Sequence, residues 1–220
     1  MAIGTPTAHV TFSDNTDLAA YTVTSATYTV GRVYFLFVQN RKATTPDTPT
    51  ISGGPTWTQI ATVLWNTIAA PTRRIAMFVG VPTSNYTGTL AVDYGGATQA
   101  NCQVLVTEYA TGVDLITPYK STNVKTGIVD TAASSIIITY DNAFASTDNT
   151  AFAGLGLPTS SVSILPRTNW TELAENGSGE STRTETQYRQ ANDTAASGSS
   201  SDASAQRWGG IALEIVASVA

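Results

Sequence analysis

The sequence predicts an all-β fold, a jelly-roll-like antiparallel β-sandwich built from two sequence-related halves. Three observations carry this. First, Trp57-Thr58-Gln59-Ile60-Ala61 recurs about half a chain later as Trp170-Thr171-Glu172-Leu173-Ala174. Each copy follows an apolar run, Val33–Val38 in one case and the glycine-studded Phe152–Leu157 in the other. Each precedes a strand-like run with a central glutamate, Glu108 in Val104–Tyr109 and Glu214 in Ile211–Val216. An ordered recurrence of this kind marks repeated modules that close around one interior. Second, apolar and polar residues alternate with period two in many segments, the pattern of half-buried strands. Third, no window carries capped helical periodicity.

In chain order, Tyr28 to Val38 reads as a long strand with Val33, Phe35 and Phe37 on one face. Pro46 to Pro55, with Gly53-Gly54, reads as a loop. Trp57 to Trp65 alternates without a break, and Arg73 to Val81 turns Ile75, Met77, Val79 and Val81 inward and Arg74, Ala76, Phe78 and Gly80 outward. A turn at Pro82–Asn85, a strand over Thr89–Tyr94, a Gly95-Gly96 turn and a strand over Cys102–Tyr109 follow. Thr111–Asp114 leaves the first half. The second half repeats the scheme over Ser134–Tyr140, Thr150–Leu157, Asn169–Ala174, Thr182–Ala191 and Trp208–Val216. The Ser- and Ala-rich stretch Ala195–Ala205 reads either as a mobile loop or as a small-residue strand pressed on a neighbour. The expected domain plan is an N-terminal arm and first strand over 1–27, with Met1–Ala8 extended. A single sandwich over 28–220 follows, with pseudo-repeats at about 28–114 and 134–217.

Composition narrows the functional classes. Charged residues are 12% of the chain, about half the usual share of roughly 25%, and threonine, serine and alanine fill the difference. The net charge of −5 supplies no field to draw in phosphate backbones, so nucleic acid is not an expected partner. Cys102 is the only cysteine. An intramolecular disulfide is therefore excluded, and the residue is expected to pack as a small hydrophobe. The first residues lack a basic start and an apolar core, so no signal peptide is read there, and no apolar stretch is long enough for a membrane helix. Synthesis in the cytoplasm is expected.

Candidate sites are few. His9 is the only histidine, so zinc spacing and a Ser-His-Asp triad are not expected. The Asx-rich clusters Asp14-Asn15-Thr16-Asp17, Asp141-Asn142 and Asp148-Asn149 offer calcium oxygens, but such runs more often form turns through their own backbone. Glu108 and Glu214, the equivalent glutamates, are the pair a glycosidase would use; their repeated placement favours a structural role. Gly154-Leu155-Gly156 lacks the third glycine and following helix of a phosphate loop, so strand packing is the expected use. No catalytic or metal site and no cofactor is assigned. Thr182 to Gln190 departs most from its counterpart: Arg183, Glu185, Gln187 and Arg189 share one face. Such a face suits either a charge-guarded sheet edge or a polar surface for a partner. Tyr86, Tyr188 and Trp208, with Trp65, are platform candidates should the module bind carbohydrate. Asn85, Asn169, Asn176 and Asn192 begin glycosylation patterns that mark exposed loops.

Taken together, Trp57-Thr58, Thr87-Gly88-Thr89 and Glu108-Tyr109-Ala110-Thr111-Gly112 resemble a diffuse family of β-sandwich modules of tailed bacteriophages and environmental bacteria. Trp170-Thr171, Glu185-Thr186-Gln187-Tyr188 and Trp208-Gly209-Gly210-Ile211-Ala212 resemble its second half. The likeness covers most of residues 28–217. It implies a non-enzymatic virion structural protein, foremost a capsid decoration (cement) subunit at the virion surface. Its partners would be a major capsid protein or other virion proteins and further copies of itself, a trimer being one arrangement. The alternative is a carbohydrate- or receptor-binding module of a phage tail, fibre or cell-surface protein. The pattern carries no site residues to transfer.

Overall fold

Two jelly rolls of identical winding stack into four layers. The structure is a computed structural model that describes residues 1–178 and 182–219; residues 179–181 and 220, which fall in the expected 28–220 domain, lie outside the described residues. The first half contains β1 (Thr7–Asp14), β2 (Ala20–Tyr28), β3 (Val33–Arg41), β4 (Thr50–Ser52), β5 (Trp57–Trp65), β6 (Arg73–Gly80), β7 (Tyr86–Asp93) and β8 (Asn101–Tyr109). The second contains β9 (Lys125–Ala133), β10 (Ser135–Thr139), β11 (Thr150–Leu157), β12 (Ile164–Pro166), β13 (Thr171–Ser178), β14 (Thr182–Arg189), β15 (Ala195–Ser200) and β16 (Gln206–Ile215). Sheet orders are β1-β8-β3-β6-β5 and β2-β7-β4 in the first half, β9-β16-β11-β14-β13 and β10-β15-β12 in the second. Every strand of one half thus has a counterpart in the other. The order 1-8-3-6 facing 2-7-4 is jelly-roll winding, with β5 transferred to the larger sheet.

Each half therefore closes a sandwich of its own, and the two five-stranded sheets pack face to face. Three cores result. Tyr34, Leu36 and Val38 of β3 face the first half's own core with Val104 and Val106 of β8. Val33, Phe35 and Phe37, on the other face of β3, meet Phe152 of β11 and Ile211, Leu213 and Ile215 of β16 in the central seam. Ala153, Leu155 and Leu157 of β11 face the second half's own core with Ile136, Ile138 and Trp208. A strand buried on both faces reads as a continuous apolar run, as Val33–Val38 does. For the same reason Ala76 and Phe78, expected to point outward, are buried in the first half's core.

The repeated pentapeptide has a mechanical meaning. In both halves the register slips at the same place, between Gln59 and Ala61 on β5 and between Glu172 and Ala174 on β13. A bulge adds one residue and reverses which face the following side chains point to. Before the bulge, Trp57 packs on the first half's own core and Trp170 lies in that of the second. Beyond it, Ala61, Val63 and Trp65 face the seam, as does Ala174. The unbroken alternation expected for Trp57–Trp65 is therefore corrected at Ile60.

Residues 1–27, expected as an arm and a first strand, hold β1 and most of β2. β1 pairs with β8 from Thr7↔Glu108 to Asp14↔Cys102, β2 pairs with β7, and Ile3 is buried in the central core. The first repeat thus begins at Thr7 and the second at Lys125. Of the two readings of Ala195–Ala205, the pressed strand holds for Ala195–Ser200. It lies between β10 and β12, and a Cβ at Gly198 would stand 2.6 Å from Leu155 Cδ1.

Candidate functional site

β3 and β11 run in the same direction across the seam, because Phe35 meets Phe152 and, farther along each strand, Phe37 meets Gly154 and Gln39 meets Gly156. The matching loops of both halves therefore emerge at one end of the molecule. That end carries the turns after β2, β4 and β6, their counterparts after β10, β12 and β14, the link Ala110–Lys120 between halves, and both chain ends, where the Met1 amino group donates to the Ser218 carbonyl at 2.8 Å.

On the second half, the turns after β10 and β14 enclose a cleft of about 350 Å³ lined by Ala143, Phe144, Arg189, Asn192, Asp193 and Thr194. Asp193 is its anchor. The Asp193 carboxylate accepts from Trp170 Nε1 at 2.8 Å, Arg189 Nη1 at 2.6 Å, the Thr194 amide at 2.7 Å and Arg167 Nη1 at 3.5 Å. Burial pulls its pKa upward, but the bonds from Trp170, Arg189 and the Thr194 amide hold it below the usual carboxylate range. The Phe144 ring stands edge-on to Tyr140, centroids 5.0 Å apart.

Glu214 holds the loop that carries Phe144. It is fully buried and accepts from the Ala145 amide at 2.8 Å, from Asn123 Nδ2 at 2.6 Å and from Asn149 Nδ2. Its counterpart Glu108, buried at the same place in the first half, meets basic side chains instead: His9 Nδ1 at 3.1 Å and the Arg32 guanidinium. His9 packs on Tyr28 and Tyr34, with ring centroids 5.1 and 5.0 Å away. Burial lowers the His9 pKa; Glu108 opposes the shift and Arg32 adds to it. The two glutamates lie in separate halves, each tied to its own partners, and do not form the pair that glycoside hydrolysis needs.

The face Arg183, Glu185, Gln187 and Arg189 is not a sheet edge. β14 lies between β13 and β11, and Glu185 and Gln187 are fully buried, so neither can touch a partner. Arg183 binds Glu175 at 2.8 Å inside the second half. Arg189 lines the cleft beside Asp193. Neither carboxyl oxygen of Glu185 has a hydrogen-bond partner among the described residues. Burial, with Glu172 and Glu175 nearby, pushes its pKa up to about 10. Burying an unpaired carboxylate is costly enough that such a group stays neutral.

Trp65 and Trp208 are fully buried and Tyr188 packs on the seam, so none of them presents a platform; Tyr86 is half-buried, with its hydroxyl on the Thr89 carbonyl at 3.1 Å. Of the calcium candidates, Asp14 caps its own turn through the Thr16 amide, Asp141 pairs with Lys125, and Asn149 is spent on Glu214. Among the described residues no group of three or more His, Cys, Asp or Glu side chains is placed to hold a metal ion. Phe144 and Thr194 were not legible as site residues, and Asn192-Asp193-Thr194 reads only as a glycosylation pattern; the Asx-rich loop was the one available signal.

No protein-family model, curated protein or solved structure matches the chain.

Proposed function

We propose that this chain is a virion structural protein, a capsid decoration subunit that stabilises a phage head by burying surface against the major capsid protein. The observation that carries the reading is the apolar surface at the loop end of the first half. Ile116 is 91% exposed, Val219 91%, Met1 65% and Val30 50%. Two grooves of about 620 and 330 Å³ share Leu115 and Ile116 in their linings. Clustered apolar exposure beside grooves marks a surface made for association. Stacked jelly rolls with a low-charge, hydroxyl-rich exterior suit a rigid shell component whose affinity comes from complementary area.

The test is co-sedimentation of the purified chain with decoration-free heads. Saturable binding is expected, with Ile116→Asp and Leu115→Asp weakening it about tenfold or more without unfolding the protein. Absence of binding, or binding indifferent to both substitutions, rejects this reading. Self-association of the chain that Ile116→Asp abolishes, without binding to heads, would assign the patch to copies of the chain and also reject this reading.

A further inference from the structure

The cleft between the turns after β10 and β14 shares no lining residue with the apolar grooves of the first half. Three features make it a built site. Asp193 accepts from four donors, whereas Arg189 donates through Nη1 alone, leaving Nε and Nη2 without partners among the described residues. Two guanidiniums, Arg189 and Arg167, face that single carboxylate, so the locality is net positive in a chain of net charge −5. Asn192 lines the cleft, and its side-chain carbonyl has no hydrogen-bond partner among the described residues. Both walls are also fixed: the Phe144 loop by Glu214, and the Asp193 turn by Trp170. Preorganised walls lower the entropic cost of binding.

We propose that this cleft binds a carboxylate-bearing pyranose, a uronic or sialic acid residue of a surface glycan. The sugar carboxylate takes the unspent edge of Arg189, whose planar fork matches carboxylate geometry. A C–H face of the ring lies on Phe144, and the Asn192 Nδ2 group and Thr194 hydroxyl bond ring hydroxyls. An apolar wall with a few convergent polar groups is the usual make-up of a small-ligand site. The proposal does not rest on the docking reading: heads and sugars are assayed separately.

The experiment titrates the whole chain with glucuronate, galacturonate and N-acetylneuraminate, with methyl glucoside and acetate as controls. Readouts are calorimetry and the indole N–H resonance of Trp170, which reports on Asp193. At least one acidic sugar is expected to bind saturably and shift that resonance, with methyl glucoside and acetate each about tenfold weaker or more. Phe144→Ala and Asn192→Ala, which leave the Asp193 bonds intact, and Arg189→Met are each expected to weaken binding about tenfold, the equivalent of one good contact. Ile116→Asp is expected to leave it unchanged. Saturable binding by none of the three acids overturns the proposal. So does acetate binding as tightly as the best sugar, which would mean a bare anion site, or binding indifferent to Phe144→Ala and Asn192→Ala.

Discussion

The ring of Phe37 fills the space in which a side chain on Gly154 would stand, and the two residues are counterparts of each other. Phe37 pairs with Met77 and Leu105 on β3; Gly154 occupies the same place on β11, opposite Thr186 and Ile211. Gln39 and Gly156 are a second such pair, and Phe35 and Phe152 a third, with ring centroids 5.5 Å apart. Counterparts that touch lie along a pseudo-twofold axis. At two of these positions one half supplies the bulk and the other a glycine that leaves room for it, while at the third both rings fit, tilted 35° to each other.

Gly154→Ala is therefore expected to destabilise the protein by about 1–3 kcal/mol through overpacking. Phe37→Ala alone is expected to cost about 3–5 kcal/mol. The double variant is expected to be more stable than the sum of the two losses implies, since the smaller residue at 37 makes room at 154. Urea denaturation of the four proteins measures this coupling; strict additivity would contradict the packing described.

Glu185 sets a pH dependence of stability. Its folded pKa of about 10 lies above the unfolded value of 4.5, so between those pH values the folded state holds more protons. Stability from this group is intact below about pH 4.5 and falls as pH rises, by at most about 1.4 kcal/mol per pH unit. Glu185→Gln keeps the shape and removes the titration. The variant is expected to gain on the parent steadily from pH 5 to pH 8 in parallel denaturation curves. A constant difference across that range would show that Glu185 is already ionised in the fold.

Glu214→Ala is expected to cost more than Glu108→Ala. The first leaves the Ala145 amide and two buried asparagine amides without an acceptor, a loss of about 1–3 kcal/mol for each group left unpaired. The second leaves Arg32 and His9 partly open to water. Hydrogen exchange is expected to quicken through residues 141–149 in Glu214→Ala and to remain unchanged there in Glu108→Ala.

Cys102 is buried and bonded by Tyr94, and burial pushes its thiol pKa up to about 12. A thiol reagent at pH 8 is expected to modify it only at the rate of unfolding, since the thiolate is the reactive form. Rapid labelling of the folded protein would show an opening of the first half's sandwich between the sheets that carry β7 and β8.

Strand content, the division into two related halves and the equivalence of Trp57 with Trp170 and of Glu108 with Glu214 were all determined by the sequence alone. Period-two patterning and a repeated pentapeptide are local, and the chain writes them locally. Only the tertiary structure decided that each half closes by itself and that the halves stack through their larger sheets. It also turned Glu185 and Gln187 inward and brought Phe144 to Arg189. Alternation states which face of a strand is apolar but not which sheet will cover it. A one-residue bulge at Ile60 reverses that face without altering composition, and loops some fifty positions apart meet only because the strands between them fold back on one another.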